Sequence, residues 1–264
     1  MESVKSFKDY FLVEKQVGAF YHDDLNPKFW TRKVSRDGKK EKWILDPIIR
    51  KKLLKIAEEF YEKFNDTIGK KPIVDIQLTG SLANYNYTDL SDLDLHVLVD
   101  FDKVNSPKKV LKAAVDGIRF VWNVRHDIKM RGHDVEVYLQ DSKEPHTSSG
   151  LFSLMNNEWV RKPKFDPPSV DEDDVYKKVD GIKQDINQFE GKLVSSTTLP
   201  KDARSLYKRA NKLKEKIHKM RKEGLQKNGE FSIGNLAFKK LRNDGYIEKL
   251  INIISEAYDR IYSE

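Results

Sequence analysis

Hydrophobic positions follow helical and strand periods in turn along the first 140 residues of the chain. Helical spacing predicts one helix over about 46–65 and another that starts near 106. Strict alternation of apolar and polar residues predicts strands over 73–79, 92–101 and 133–140. The predicted order of elements is therefore helix, strand, turn, strand, helix, strand.

Each predicted helix has an apolar stripe that indicates which side is buried. Asp46 is the expected side-chain cap of the first helix, and Pro47 suits its first turn. The first stripe consists of Ile49, Leu53, Ile56, Ala57, Phe60 and Phe64. The second stripe consists of Val110, Leu111, Ala114, Ile118, Val121 and Trp122. Both helices are expected to pack on a sheet built from the three strands.

Turn signals and a proline-rich segment complete the predicted organisation. WTRKV and KWIL flank Asp37-Gly38 as a hairpin, and a second hairpin is centred on Asn156-Asn157. The proline-rich segment RKPKFDPPS predicts a domain boundary. Helices are predicted beyond it over about 170–193 and 202–226. The prediction is an α+β domain over 1–163, with an N-terminal extension over 1–45, and a helical domain over 164–264. The apolar seam of the second of these helices, which includes Leu206, Ala210, Leu213, Ile217 and Met220, favours antiparallel packing of the pair.

Composition narrows the chemistry and the location. The 264 residues include no cysteine, which excludes disulfides, thiolate nucleophiles and cysteine-ligated metals. No apolar run approaches the roughly 18 residues of a membrane span, and the charged start is unlike a secretory signal. We therefore expect a cytoplasmic protein without a membrane partner.

Two aspartates on one predicted strand are the first candidate for chemistry. In a strand, side chains at i and i+2 share a face about 7 Å apart, so Asp92 and Asp94 are expected to project together. Paired carboxylates at one edge suit a hard cation such as Mg²⁺ or Mn²⁺. His96 continues the same face and is a secondary candidate that would orient a carboxylate.

A third acid and a glycine turn extend this site. The strand at 133–140 offers Asp134 and Glu136 on one face, and we favour Glu136, which lies deeper in the apolar alternation. Three acids are enough to hold two cations roughly 4 Å apart. Gly80 and Ser81 follow a strand, where a close backbone and a hydroxyl suit a triphosphate.

The chain has a predicted strand followed by Gly-Ser, then about ten residues, an Asp-x-Asp and a later acid. This order resembles the motif pattern of the DNA polymerase beta superfamily of nucleotidyltransferases. The likeness covers roughly residues 73–140. It implies that Gly80 and Ser81 bind triphosphate, that Asp92 and Asp94 bind both metals, and that Glu136 completes the second metal site. The last acid, in its Val-Glu-Val strand, is also similar to the third acid of the alarmone synthetases, whose other motifs are missing here.

A longer resemblance carries no substrate with it. Several segments are similar to uncharacterised nucleotidyltransferase-like proteins of tailed bacteriophages. They are LNPKFW, GSLANYNYTDLSDLDLHVLVDF, HTSSGLFSL and FSIGNLAFKKLRNDGYIEKL. SFKDYFLVE also resembles the short leaders that send some phage proteins into the assembling head, where a cut would follow Leu12, Val13 and Glu14. The alternative is that this segment is an ordinary amphipathic helix that packs on the domain.

Two other classes of enzyme fit the sequence less well than a nucleotidyltransferase. A DxD glycosyltransferase leaves Gly80 and Ser81 unexplained, and a nuclease of the PD-ExK type would need a lysine where Tyr138 stands. A degenerate fold without chemistry is the remaining alternative. It would act as a nucleic-acid-binding module through the basic helix.

Positive charge is concentrated in one predicted helix. The chain has 49 Lys and Arg against 42 Asp and Glu, which gives a net charge of +7. Segment 201–228 holds eleven of the basic residues and three acids, so it alone carries +8. An RNA backbone and solvent are equally good partners for such a helix. The candidate RNA contacts are Arg204, Lys208, Arg209, Lys212, Lys216 and Lys219.

The sequence thus predicts a metal-dependent nucleotidyltransferase. It would move a nucleoside monophosphate from a nucleoside triphosphate to a hydroxyl and release pyrophosphate. The acceptor, which would be RNA, a protein or a small molecule, is left open.

Overall fold

The computed structural model describes residues 22–35, 41–65, 69–146, 148–165, 171–195 and 200–263. The residues of the proposed leader and the Asp37-Gly38 turn lie outside these ranges. The chain divides into two compact units, Met1–Asp166 and Pro167–Glu264. It is a mixed α+β protein, in which the first unit contains the sheet and the second is helical.

Strands and helices alternate in the first unit in the order that the hydrophobic pattern predicts. Its elements are β1 (Trp30–Val34), β2 (Glu41–Leu45), α1 (Pro47–Glu62), β3 (Ile73–Thr79), β4 (Leu93–Val99), α2 (Lys108–Arg125), β5 (Lys129–Met130), β6 (His133–Asp141), β7 (Leu151–Ser153) and β8 (Glu158–Arg161). β1 and β2 pair as an antiparallel hairpin, and so do β7 and β8, as the turn signals predict.

A mixed sheet is the centre of the first unit. Its strands lie in the order β5-β6-β4-β3-β7-β8. Of these neighbours only β4 and β6 run parallel, and the others are antiparallel. Parallel neighbours need a crossover connection, which α2 provides. The strands on either side of this crossover carry the predicted acids.

The first helix confirms its predicted start and buried side. The Asp46 side chain accepts hydrogen bonds from the backbone N–H groups of Ile48 and Ile49, so it caps two of the unpaired donors at the helix start. Leu53 and Phe60 are fully buried. The Phe60 ring also contacts Trp122 of α2 edge to face, with ring centroids 5.4 Å apart. The two helices therefore share one apolar core with the sheet.

The second helix buries fewer of its apolar residues than predicted. Leu111 and Trp122 are buried, but Val110 is 60% exposed and Val121 is 45% exposed. The reason is the position of α2 beside the edge of β6, where the Asn123 side-chain amide donates to the Val137 carbonyl and accepts from the Val137 N–H. A helix that covers a sheet edge buries a narrower stripe than one lying flat on the sheet.

The second unit contains four helices within its described residues. They are α3 (Glu172–Ser195), α4 (Pro200–Asn228), α5 (Ile233–Asn243) and α6 (Tyr246–Tyr262). The α4 seam is buried as predicted at Leu206, Ala210, Leu213 and Ile217. It contacts α3, as predicted, and it contacts α5 and α6 more extensively. Within the described ranges, no helix is both long and apolar enough to cross a bilayer.

Candidate active site

Asp94 and Glu136 are neighbours on the same face of the sheet. The parallel register of β4 and β6 pairs Leu93 with Val135, Asp94 with Glu136 and Leu95 with Val137. The paired apolar residues are buried, whereas both acids are half-buried. Since side chains alternate along a strand, the apolar pairs face the helices and the acids share the opposite, polar face. The two predicted acids thus come from adjacent strands, as expected.

A glycine lies against the Asp94 carboxylate. Gly80 follows β3 with φ 73° and ψ −160°, a conformation that is nearly restricted to glycine. A Cβ atom added to this residue would lie 1.7 Å from Oδ2 of Asp94. The backbone therefore approaches the carboxylate more closely than any other residue type would allow.

A hydroxyl contact connects this glycine turn to the loop that carries the aspartates. The Ser81 hydroxyl donates to Ser91 Oγ at 2.9 Å, and the Thr88 backbone N–H donates to the same oxygen at 2.9 Å. The Ser91 carbonyl lies 2.7 Å from His133 Nδ1. Ser91 immediately precedes Asp92, so this network holds both Gly-Ser and Asp-x-Asp segments against β6.

Asp92 occupies a different position from the one predicted. β4 begins at Leu93, so Asp92 is half-buried in the preceding loop rather than on the strand with Asp94. Strand alternation therefore does not fix the direction of the Asp92 side chain. The hydrogen-bonded turn that ends at Ser91 shortens the strand, because the Ser91 N–H donates to the Thr88 carbonyl at 3.0 Å.

Tyr138 is a site residue that the sequence interpretation missed. Its hydroxyl donates to Oε2 of Glu136, and burial, followed by the negative charges of Asp94 and Glu136, raises the pKa of its phenol. The Arg119 guanidinium lies over the Tyr138 ring, 5.1 Å from its centroid. Strand alternation was the available signal, because Tyr138 is two residues after Glu136 and shares its face.

The two secondary candidates have different environments. His96 Nδ1 lies 2.7 Å from Gln140 Oε1, and the imidazole stacks on Tyr138 with centroids 4.7 Å apart. Burial is the main reason that the pKa of His96 is lowered to about 4, so the ring is neutral at pH 7. Asp134 is exposed, and its carboxylate lies 3.2 Å from Nζ of Lys129. His96 thus belongs to the polar face of the sheet, whereas Asp134 lies at the solvent-exposed edge of that face.

Further polar residues continue this face onto β3. Asp75 accepts a hydrogen bond from the Ser153 hydroxyl at 2.7 Å and from the Gln77 side-chain amide at 2.8 Å. All three side chains are buried. Gln77 Oε1 has no hydrogen-bond partner within the described part of the chain. A buried acceptor of this kind is costly unless another group binds it, and it lies on the strand next to His96.

The donor chemistry of the acids suits a hard divalent cation, although they do not form a closed cluster. Within the described ranges, no three His, Cys, Asp or Glu side chains are gathered as a metal-binding group. Asp94 and Glu136 are oxygen donors at paired positions of adjacent strands, as Mg²⁺ requires. Carboxylates repel one another unless a cation lies between them. A bound cation would therefore attract a third carboxylate to the pair.

The basic residues of α4 form an exposed surface. All six predicted RNA contacts are exposed, namely Arg204, Lys208, Arg209, Lys212, Lys216 and Lys219. Two of them have partners within the chain. The Arg209 guanidinium lies over the Phe189 ring of α3, 5.4 Å from its centroid, and Lys219 Nζ lies 3.8 Å from Glu223. The remaining members are lysines and one arginine on a solvent-facing side of the helix.

Comparisons of this chain with protein-family models, with curated proteins and with solved structures find no match. The class that the fold defines is a mixed α+β protein with a mixed sheet flanked by helices and a helical C-terminal region.

Proposed function

We propose that the chain is a metal-dependent nucleotidyltransferase. The observation that carries this proposal is the pairing of Asp94 with Glu136 across two parallel strands, beside a glycine that approaches the Asp94 carboxylate. A glycine turn exposes backbone to which a phosphate group can approach, and a carboxylate pair beside it suits the cation that accompanies the phosphate. The resemblance to the polymerase beta superfamily, with its phage branch, is a second support of a different kind.

Asp92, Asp94 and Glu136 would hold the divalent ions, two in number and either Mg²⁺ or Mn²⁺. When bound, such ions neutralise charge that gathers on the phosphate oxygens. Asp94 is fixed by its strand and by contact with the Gly80 backbone. Glu136 would bind through the oxygen that Tyr138 does not occupy, or through both after the hydroxyl turns away. Asp92, in the loop before β4, would supply the third carboxylate.

The proposed reaction forms one bond and breaks one. An acceptor hydroxyl oxygen bonds to the α-phosphorus of a nucleoside triphosphate, the bond from that phosphorus to the oxygen bridging to the β-phosphorus breaks, and pyrophosphate leaves. Glu136 takes the proton of the acceptor hydroxyl. The Gly80 and Ser81 turn holds the triphosphate, and the chain contributes chiefly by alignment of the reacting groups.

Transfer of label from a nucleoside triphosphate tests this proposal. Each of the four triphosphates, labelled on the α-phosphate, is incubated with Mg²⁺ or Mn²⁺ and with RNA, protein or small-molecule extracts of a bacterial cell. The test variant Asp94→Asn keeps the size of the side chain and removes its charge. The control Asp134→Asn makes the same change at an exposed residue whose carboxylate lies 3.2 Å from Nζ of Lys129.

The expected result is transfer by the wild type and by Asp134→Asn. Asp94→Asn should lose about 100-fold or more, because a charged ligand of the divalent ions is removed, and with it part of the positive charge that those ions bring to the phosphate. Equal transfer by Asp94→Asn and wild type would exclude Asp94 from the site. Both variants must show wild-type thermal unfolding, so that a loss of activity reports chemistry.

The second candidate is a nucleic-acid-binding module without catalysis, and the exposed basic side of α4 favours it. Phosphate contacts give an affinity that falls steeply as salt rises. RNA binding with such a salt slope, together with no transfer of any label to any acceptor, would support the module over the enzyme. The Lys208→Glu variant should then weaken RNA binding.

A further inference from the structure

The helical unit contains a cavity with an apolar floor. The cavity has a volume of about 650 Å³ and lies between α3, α4 and the start of α5. Its floor includes Ile182, Leu213 and Ile217, which are each less than a tenth exposed. Cavities of this volume are within the range that binds organic molecules of drug size. The floor therefore offers apolar surface to the apolar part of a ligand.

The rim of the cavity is positively charged. Five lysines and two acids line it, which leaves three excess positive charges. The lysines are Lys177, Lys178, Lys216, Lys219 and Lys227, and the acids are Asp185 and Glu223. Lys219 Nζ lies 3.8 Å from Glu223 and Lys177 Nζ lies 3.6 Å from Asp174, so two of the lysines are partly neutralised. An anionic group at the mouth would be attracted by the remaining lysines, and the charges would stay in contact with water.

Close helix contacts form the walls of the cavity. A Cβ on Gly224 of α4 would lie 2.6 Å from the Ser232 hydroxyl oxygen, and a Cβ on Gly234 of α5 would lie 2.5 Å from the Met220 carbonyl oxygen. Glycine at both positions allows α4 and α5 to approach each other closely. The two helices are also held together because Nε of Arg221 on α4 donates to Oδ1 of Asn235 on α5 at 3.3 Å. The cavity is thus preformed by backbone packing rather than by mobile side chains.

We propose that this cavity is a binding site for an amphipathic organic anion, a molecule with one acidic group and an apolar body. The buried floor fits the apolar body, and the lysine rim fits the acidic group. None of the described lining residues is aromatic, so a stacked nucleobase would gain little there. The proposal does not depend on nucleotidyl transfer, since every residue that carries it lies in the helical unit.

Two glycines of α3 provide a matched pair of variants. Gly181 lines the cavity, whereas Gly191 does not. A Cβ at either position meets no atom within 4 Å, so both tolerate a larger side chain. Gly181→Phe would place a ring at the cavity mouth, and Gly191→Phe would place the same ring on the same helix away from it. Both changes should preserve the fold, since both glycines lie within a helix interior.

The probe is anilinonaphthalene sulfonate, an aromatic body with one sulfonate, and binding to the full chain is followed by fluorescence and calorimetry. We expect saturable binding with one site per chain. Affinity should fall at least tenfold in Gly181→Phe and remain unchanged in Gly191→Phe. Equal affinity in both variants, or no saturable binding by the wild type, would overturn the proposal.

A second arm tests the role of charge. Lys216→Glu reverses a rim lysine, and Lys208→Glu reverses an exposed lysine of the same helix outside the cavity. Only the first should weaken sulfonate binding, by about tenfold, and neither should alter binding of the uncharged analogue phenylnaphthylamine. Equal losses in both lysine variants would indicate a diffuse electrostatic effect and no site. Displacement of the probe by a short single-stranded RNA, but not by dodecanoate, would overturn the assignment to a small amphipathic anion.

Discussion

Gly80→Ala is the sharpest perturbation of the candidate active site. The added methyl group would lie 1.7 Å from Oδ2 of Asp94, less than half of a normal contact distance, so one of the two groups must move. Gly80 also has φ 73° and ψ −160°, where an alanine is strained. The change should therefore act on both the stability of the fold and the position of the carboxylate.

The two effects have different magnitudes. Backbone strain at such a φ/ψ costs about 1–3 kcal/mol for a residue other than glycine. Displacement of a catalytic group by about 1 Å reduces turnover by about 100-fold. Gly80→Ala should thus unfold at lower denaturant concentration and transfer label at about a hundredth of the wild-type rate, if Asp94 serves the reaction.

Gly245→Ala separates strain from displacement. Gly245 has φ 76° and ψ 3°, and a Cβ there meets no atom within 4 Å. This control should lose about 1 kcal/mol of unfolding free energy and keep full transfer activity. Urea unfolding measures the first quantity, and the label-transfer assay measures the second. Wild-type stability together with wild-type activity in Gly80→Ala would refute the contact between the glycine turn and Asp94.

Two further predictions concern residues that touch Glu136 or its neighbours. Tyr138→Phe should tighten binding of Mn²⁺, because the hydroxyl hydrogen bond competes with a cation for Oε2 of Glu136. Calorimetry measures this affinity, and weaker binding would show that the hydroxyl orients the acid instead. His96 has its pKa lowered to about 4, mainly by burial, and so binds fewer protons in the folded state than in the unfolded state below its ordinary pKa of 6.5. Unfolding free energy should therefore fall as pH drops from about 6.5 toward 4, by about 1.4 kcal/mol for each pKa unit, and His96→Gln should flatten that slope in urea titrations.

Local patterns of the sequence were sufficient for the elements that carry the acids. The strands predicted over 73–79 and 133–140 are β3 and, with one more residue, β6. The Asp46 cap was also identified from residue type alone. These features depend on side chains and backbone within a few residues, so local spacing contains the information needed to predict them.

Features that depend on contacts between distant segments were not predictable. Val110 and Val121 belong to the same predicted apolar stripe as Leu111, yet only Leu111 of the three is buried, since α2 covers a sheet edge. The loop that carries Asp92 is held by a hydrogen bond from the Ser81 hydroxyl to Ser91 Oγ, which joins residues ten positions apart. The main partners of α4 likewise depend on which apolar stripes meet in space, which single-helix periodicity does not encode.

The alignment of Asp94 with Glu136 follows from the apolar residues around them more than from the acids. Two carboxylates at paired positions repel each other and disfavour this register. Leu93 and Leu95 on β4 face Val135 and Val137 on β6, and all four are buried. A slip of one residue along β6 would turn Val135 and Val137 away from the buried face, at a cost of about 1.5–3 kcal/mol each, which exceeds a surface charge repulsion. The hydrophobic alternation therefore holds the acids together, and their proximity is available for binding a cation without further distortion of the sheet.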